Sequence, residues 1–167
     1  MVRGTRKRVL LLRVKLLLSL VVLLVSCDAT VYHHFLPVDN GGWGAKDTLT
    51  YVYEPSTGTS AGCDAEIVAQ VRYGADYRYK GLCVRIETLK AVDGTLLSVD
   101  TLLCQMYDGR GRRMGATAGT MYQNGSSAVV IPVSLADTLL LKLSHIMADD
   151  TIKDIYDVGL QLSVADR

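Results

Sequence analysis

Alternation with a period of two is the feature that most narrows what this chain can become. In Ile67-Val68-Ala69-Gln70-Val71-Arg72-Tyr73, the residues Ile67, Ala69, Val71 and Tyr73 fall on one face. That is the repeat of a strand with one side in a core. The stretch 82–89 repeats it, with Leu82, Val84 and Ile86 on one side and Arg85 and Glu87 on the other. Further segments rich in Val, Ile, Leu, Thr and Tyr run over 31–36, 48–53, 96–106, 121–122, 128–135, 138–146 and 155–164. Clusters of Gly, Asn, Asp, Ser and Pro separate them, as strand boundaries require. Pro37 and Pro55 stop two of them. Asp93-Gly94 reads as the turn of a hairpin joining 82–89 to 96–106. Asn124-Gly125 reads as a turn between the segments at 121–122 and 128–135, and 108–119 as a glycine-rich loop. The leucine run in 137–145 is the one helical candidate. Its Leu139, Leu141 and Leu143 alternate with Leu140, Lys142 and Ser144, and no cap and stop fit it. Many short strands without helices between them predict an all-β fold, a jelly-roll-like antiparallel β-sandwich forming one domain over 31–167.

The N-terminus obeys different rules. Arg3, Arg6, Lys7, Arg8, Arg13 and Lys15 come first, with no acidic residue among them, and an apolar or small run over 16–25 follows. A membrane-spanning helix needs roughly 20 apolar residues, so this run is too short. A basic flank, a short apolar core and small residues ahead of a cut describe a secretory signal over 1–26. The run ends in Leu24-Val25-Ser26-Cys27, which resembles the lipobox of bacterial lipoproteins. That resemblance implies lipid on the Cys27 sulfur, a cut just before it, and a short tether over 27–30. Two or three acyl chains pass the threshold for stable attachment, which one chain does not reach.

Processing would change the charge. Six of the 18 basic residues lie before Cys27 and none of the 17 acidic ones do. Twelve basic against 17 acidic side chains then remain, a net charge of −5. An acidic domain lacks the basic face of a nucleic-acid binder. Charge alone does not draw it to anionic headgroups either. Cys63, Cys83 and Cys104 allow at most one disulfide, and no pair among them is singled out by spacing.

No residue pattern points to catalysis. His33 and His34 are neighbours on a strand and so face opposite sides, which rules out joint chelation there. There is no Gly-x-Ser-x-Gly elbow. Asp149, Asp150, Asp154 and Asp157 read as solvated loop ends rather than a glycosidase pair. The loop Asp108-Gly109-Arg110-Gly111-Arg112-Arg113-Met114-Gly115 lacks the Gly-Lys-Ser/Thr ending of a phosphate cradle. Its arginines, with Tyr77 and Tyr79 near Arg72, are candidate contacts for a partner. Arginine and tyrosine are enriched among residues that dominate interface energy. The candidate binding set is therefore Arg72, Tyr77, Tyr79, Arg112 and Arg113.

Read in order, these blocks resemble the GldH-like gliding-motility lipoproteins. Tyr32-His33-His34-Phe35 matches the family's opening, and Trp43 followed by Asp47-Thr48-Leu49 its next block. Arg72 and Tyr77-Arg78-Tyr79-Lys80-Gly81-Leu82 match the middle. Asp108, Gly109, Gly111, Gly115 and Tyr122 match a glycine-rich block, and His145-Ile146-Met147 and Asp157-Val158-Gly159-Leu160 the close. Arg78 stands where the family tends to have proline, Gly81 where it tends to have asparagine, and Arg112-Arg113 where a tryptophan is usual. The resemblance implies an envelope lipoprotein without enzyme activity or cofactor, an accessory or structural part of the gliding and type IX secretion machinery. It implies partners among the other proteins of that machinery, with the outer membrane as the favoured site. A glycan-binding surface lipoprotein is the alternative.

Overall fold

The computed structural model describes residues 30–39, 42–56 and 64–165. The 1–26 segment, Cys27 and Cys63 lie outside the described residues. Twelve strands follow in chain order: β1 Thr30–Pro37, β2 Trp43–Gly44, β3 Leu49–Tyr53, β4 Ala65–Tyr73, β5 Gly81–Lys90 and β6 Leu96–Gln105. Then come β7 Ala116–Ala118, β8 Met121–Gly125, β9 Val129–Ile131, β10 Leu139–His145, β11 Thr151–Ile152 and β12 Ile155–Val164. One sheet runs β1-β12-β4-β8-β7, with β9 also on β4; a second runs β3-β10-β5-β6. All their pairings are antiparallel. The two sheets face each other as a β-sandwich. No helix among the described residues is long and apolar enough to cross a membrane.

Alternation decides what enters the core. On β4, Ala65, Ile67, Ala69, Val71 and Tyr73 are all buried while the residues between them are half-exposed. The leucine run of β10 is a strand for the same reason, with Leu139, Leu141 and Leu143 fully buried. Each such side chain contributes roughly 1.5–3 kcal/mol by leaving water. Two tyrosines carry their hydroxyls into the core and find acceptors across it. Tyr51 donates to the Val158 carbonyl at 2.7 Å and Tyr53 to the Leu135 carbonyl at 2.9 Å. Both bonds satisfy a donor that would otherwise be costly to bury.

The register gives the sandwich two distinct ends. Thr30 pairs with Ser163 and Ala65 with Val164. Tyr53, Leu139 and Lys90 share a row in the other sheet. Tyr32 and Tyr53 meet edge to face at 6.1 Å, so these rows belong to the same end. The far end holds Pro37, Tyr73 and the start of β12. It also holds the small β2–β11 ladder, where buried Trp43 lies 5.5 Å from the His145 ring.

Three local readings change. Asn124-Gly125 is not a turn; it continues β8, with Asn124 opposite Val71 and Gly125 opposite Gln70. The β5–β6 hairpin does not close on Asp93-Gly94 alone. Gly94 N donates to the Lys90 carbonyl and Lys90 N to the Thr95 carbonyl, so the loop spans 91–94. The glycine-rich stretch contains a strand, β7, folded back on β8. Among the described cysteines, Cys83 and Cys104 are both free. They cannot bond to each other across the hairpin, because Cys104 points into the core and Cys83 to the outside.

Candidate functional site

The far end gathers most of the candidate residues. The chain crosses from β4 to β5 through 74–80, and Tyr77 in that crossing plugs the core at 2% exposure. Its hydroxyl donates to the Gly81 carbonyl at 3.0 Å. Tyr79, Tyr77, Tyr73 and Tyr122 form a chain of rings with centroids 5.3–5.5 Å apart. Aromatic pairs at such distances contribute beyond their buried area. Burial pushes the Tyr77 hydroxyl above its ordinary pKa. Tyr77 is thus part of the end wall. Tyr79 is half-exposed, and its hydroxyl donates to the Asp149 carboxylate, the first cause of its raised pKa.

The arginines of the glycine-rich loop have separate tasks. Asp108 accepts from the backbone N–H of Arg110 and of Arg112 at 2.9 Å, and its other oxygen takes the Arg112 guanidinium at 2.8 Å. These bonds, the Arg112 backbone N–H first, hold the Asp108 carboxyl below its usual range. Arg112 therefore staples its own loop. Arg113 reaches away from the loop. Its guanidinium donates to the Gly74 carbonyl at 3.1 Å and to the Ala75 carbonyl, and lies 4.5 Å from the Tyr122 ring centroid. Gly115 lets the chain pass: its φ is +93°, and a Cβ there would sit 2.1 Å from the Gln123 carbonyl oxygen.

Arg72 lies at the same end but on the outer face of the β4 sheet, opposite Asp157. Its guanidinium sits 3.8 Å over the Phe35 ring, donates to Gln123 Oε1 at 3.0 Å and approaches Asp157 at 3.8 Å. Gln123 donates to Gln70 and Gln70 to Gln161, at 3.0 and 2.8 Å. The side-chain amides of one strand after another are satisfied along this face. The structure thus joins Tyr77, Tyr79 and Arg113 in one cluster and leaves Arg72 and Arg112 outside it.

Between the 74–80 crossing, β6 and the glycine-rich loop lies a groove of about 570 Å³. Arg78, Lys80, Gly81, Leu103, Gln105 and Tyr107 line it, with the loop from Asp108 to Gly111 at one side. Leu103 offers an apolar wall at 52% exposure. Arg78 and Lys80 are exposed and have no ion-pair partner among the described residues. Arg78 also borders a second groove of about 380 Å³ with Asp76, Asp149, Asp150 and Lys153. The far end therefore presents a cationic, part-apolar groove beside an acidic one. Arg78 belongs to the tyrosine–arginine patch that the sequence offers as a contact surface but is outside the candidate binding set, and so is Lys80. Their signal was present in Tyr77-Arg78-Tyr79-Lys80, where cations alternate with rings and no acid follows. No three His, Cys, Asp or Glu side chains converge as a metal site among the described residues.

Solved structures overlap this one loosely. A mitogen from Yersinia pseudotuberculosis shares 9% identity, with 81% of this chain and 88% of that chain covered and a TM-score of 0.31. The xylanase 10B CBM22-1–GH10 modules of Clostridium thermocellum share 11%, with 84% and 29% covered and a TM-score of 0.36. The Eiger TNF of S. frugiperda shares 11%, with 81% and 93% covered and a TM-score of 0.29. Overlaps this loose carry no argument about function. No curated protein sequence matches the chain. The family model "GldH lipoprotein" does match, over residues 30–162, from the first residue of β1 to within β12. That span takes in both sheets and the whole far end, and on it the chain belongs to the GldH lipoprotein family, the gliding-motility-related lipoproteins of the cell envelope.

Proposed function

We propose that this lipoprotein is an accessory or structural subunit of the gliding-motility and type IX secretion apparatus, held by lipid on Cys27 and binding a machine component at its far end. The segment 1–26 acts as the signal that is removed, and the anchor sits in the outer membrane. One observation supports this arrangement above the others. Thr30, three residues after Cys27, lies at one end of the sandwich, and the Arg78–Lys80 groove lies at the other. Ten-residue strands such as β12 are about 33 Å long, so the groove stands clear of the anchored end. A tether of this kind raises the local concentration of a weak partner without any new contact. Arg78 and Lys80 favour an acidic partner segment, and Leu103 an apolar residue within it.

Glycan binding finds less support. It needs rings displayed in a row, but Trp43 is buried and Phe35 lies beneath Arg72. Deleting the gene in its host tests the main reading. Colony spreading and cargo secretion should both fail, and return with the intact gene but not with an Arg78→Glu/Lys80→Glu copy. Normal spreading and secretion in the deletion strain would remove the reading.

A further inference from the structure

The outer face of the four-stranded sheet changes character along its strands. The row nearest the Thr30 end is Val52, Leu140, Leu89 and Leu96, one residue from each strand. Val52 and Leu96 are 47% and 53% exposed, and Leu140 and Leu89 are half-buried. Beyond them, in the loop of the β5–β6 hairpin, Val92 is 92% exposed. One row further from that end come Thr50, Lys142, Glu87 and Val99, and then Ser144, Arg85 and Thr101. Arg85 and Glu87 pair at 2.8 Å there. In one step of the strand repeat three of the four positions turn polar or charged, and Val99 on the edge strand stays apolar.

This apolar row lies where the tether leaves little room. Thr30 follows Cys27 by three residues, and a fully extended chain gains about 3.3–3.6 Å per residue. If Cys27 carries the lipid, Thr30 stays within about 10 Å of it. Tyr32 packs on Tyr53, the neighbour of Val52, so the row belongs to the end that is held down. A surface kept that close to a bilayer and rich in Val and Leu gains by entering the headgroup boundary, as interfacial segments do.

We propose that Val92 and the Val52–Leu140–Leu89–Leu96 row rest in the interface of the bilayer that holds Cys27. The inference depends on the lipid-anchor reading above and adds an orientation to it. The lipid fixes one point, and the apolar row fixes the tilt, so the Arg78–Lys80 groove faces away from the membrane. The contact is apolar rather than electrostatic. Glu54, Asp64, Asp93 and Asp137 lie around this end against Lys90, which Asp137 already pairs at 3.4 Å. Anionic headgroups are therefore not the attraction.

The test uses the full lipidated chain in vesicles of phosphatidylcholine with brominated acyl chains. Trp43 is the single tryptophan and is buried at the far end, so an added one can be read by difference. The variants are Val92→Trp, Leu96→Trp and, on the far-end loop, Arg110→Trp. Quenching several-fold stronger at 92 and 96 than at 110, unchanged when phosphatidylglycerol is added, is the expected result. Equal quenching at all three positions in protein that floats with the vesicles overturns the inference and leaves the anchor standing. Quenching that needs phosphatidylglycerol overturns it too, since the contact would then follow charge. Protein that does not float with the vesicles defeats the anchor reading itself, and the inference with it.

Discussion

The Arg113 guanidinium lies 4.5 Å from the Tyr122 ring centroid while its nitrogens donate to the carbonyls of Gly74 and Ala75. One side chain thus joins the glycine-rich loop to the crossing that carries Arg78 and Lys80. Arg113→Ala should lower stability by about 1–2 kcal/mol, the scale of a part-buried cation–ring contact with charge-assisted hydrogen bonds. Arg113→Lys should recover little, because an ammonium cannot span both carbonyls and cover the ring. Urea unfolding gives the stability, and amide exchange should quicken within 108–115. Unchanged exchange there would show that the loop holds itself through Asp108.

Phe35 and Gly159 make a second pair. A Cβ on Gly159 would come within 2.6 Å of the Phe35 ring, and the Arg72 guanidinium already sits 3.8 Å over that ring. Gly159→Ala should therefore cost about 1–3 kcal/mol through forced repacking. Adding Phe35→Ala should remove most of that penalty, giving a coupling that a double-mutant cycle measures. Additive losses would mean that the ring already has room to move.

His145 supplies a pH dependence. Burial lowers its pKa from 6.5, and the hydrogen bond with the Trp43 backbone and the charge of Asp47 only partly oppose that. The folded state thus holds this ring neutral where the unfolded chain takes up a proton. Stability from this residue is intact above about pH 6.5 and falls as the pH drops from there through the lowered folded value. The urea midpoint of the native protein minus that of a His145→Gln variant should decline over this range. A flat difference would mean that the ring is solvated and titrates normally.

Cys104 is the third buried reporter. Its thiol is pushed up to about 12, chiefly by burial and then by Cys83. At pH 8 it should therefore stay unmodified by a thiol reagent until the sandwich unfolds, because the thiolate is the reactive form. Peptide mapping of the labelled chain would show it. Rapid labelling of Cys104 under native conditions would mean that the β5–β6 corner opens locally.

Local pattern exposed most of the fold. The reading of β12 as 155–164 has the bounds the structure has, and β4 and β10 follow the alternation of Ile67 and Leu139. Features set by distant pairing were hidden. Asn124-Gly125 carries a strong turn signature, yet Val71 and Gln70 hold it in a ladder. Strands β2 and β11 have two residues each, too few for any period to register. The site was less legible for the same reason. Tyr77 looks like a surface tyrosine until the crossing folds it under Tyr73 and Tyr79. Arg112 and Arg113 are adjacent and alike in sequence, but one binds Asp108 and the other binds carbonyls 38 and 39 residues away. What remained for a partner were Arg78 and Lys80, exposed cations that line the groove and have no ion pair among the described residues.

The most direct test of an anchored lipoprotein with its binding groove at the opposite end is photo-crosslinking in living cells. A benzoylphenylalanine replaces Lys80 at the groove, or Thr50 on an exposed strand of the outer face, in the full-length chain. The groove position should yield a discrete adduct with an envelope protein, the Thr50 position none, and Cys27→Ala should strongly reduce the groove adduct. Adducts at Thr50 alone, or a groove adduct equally strong without Cys27, would contradict the account.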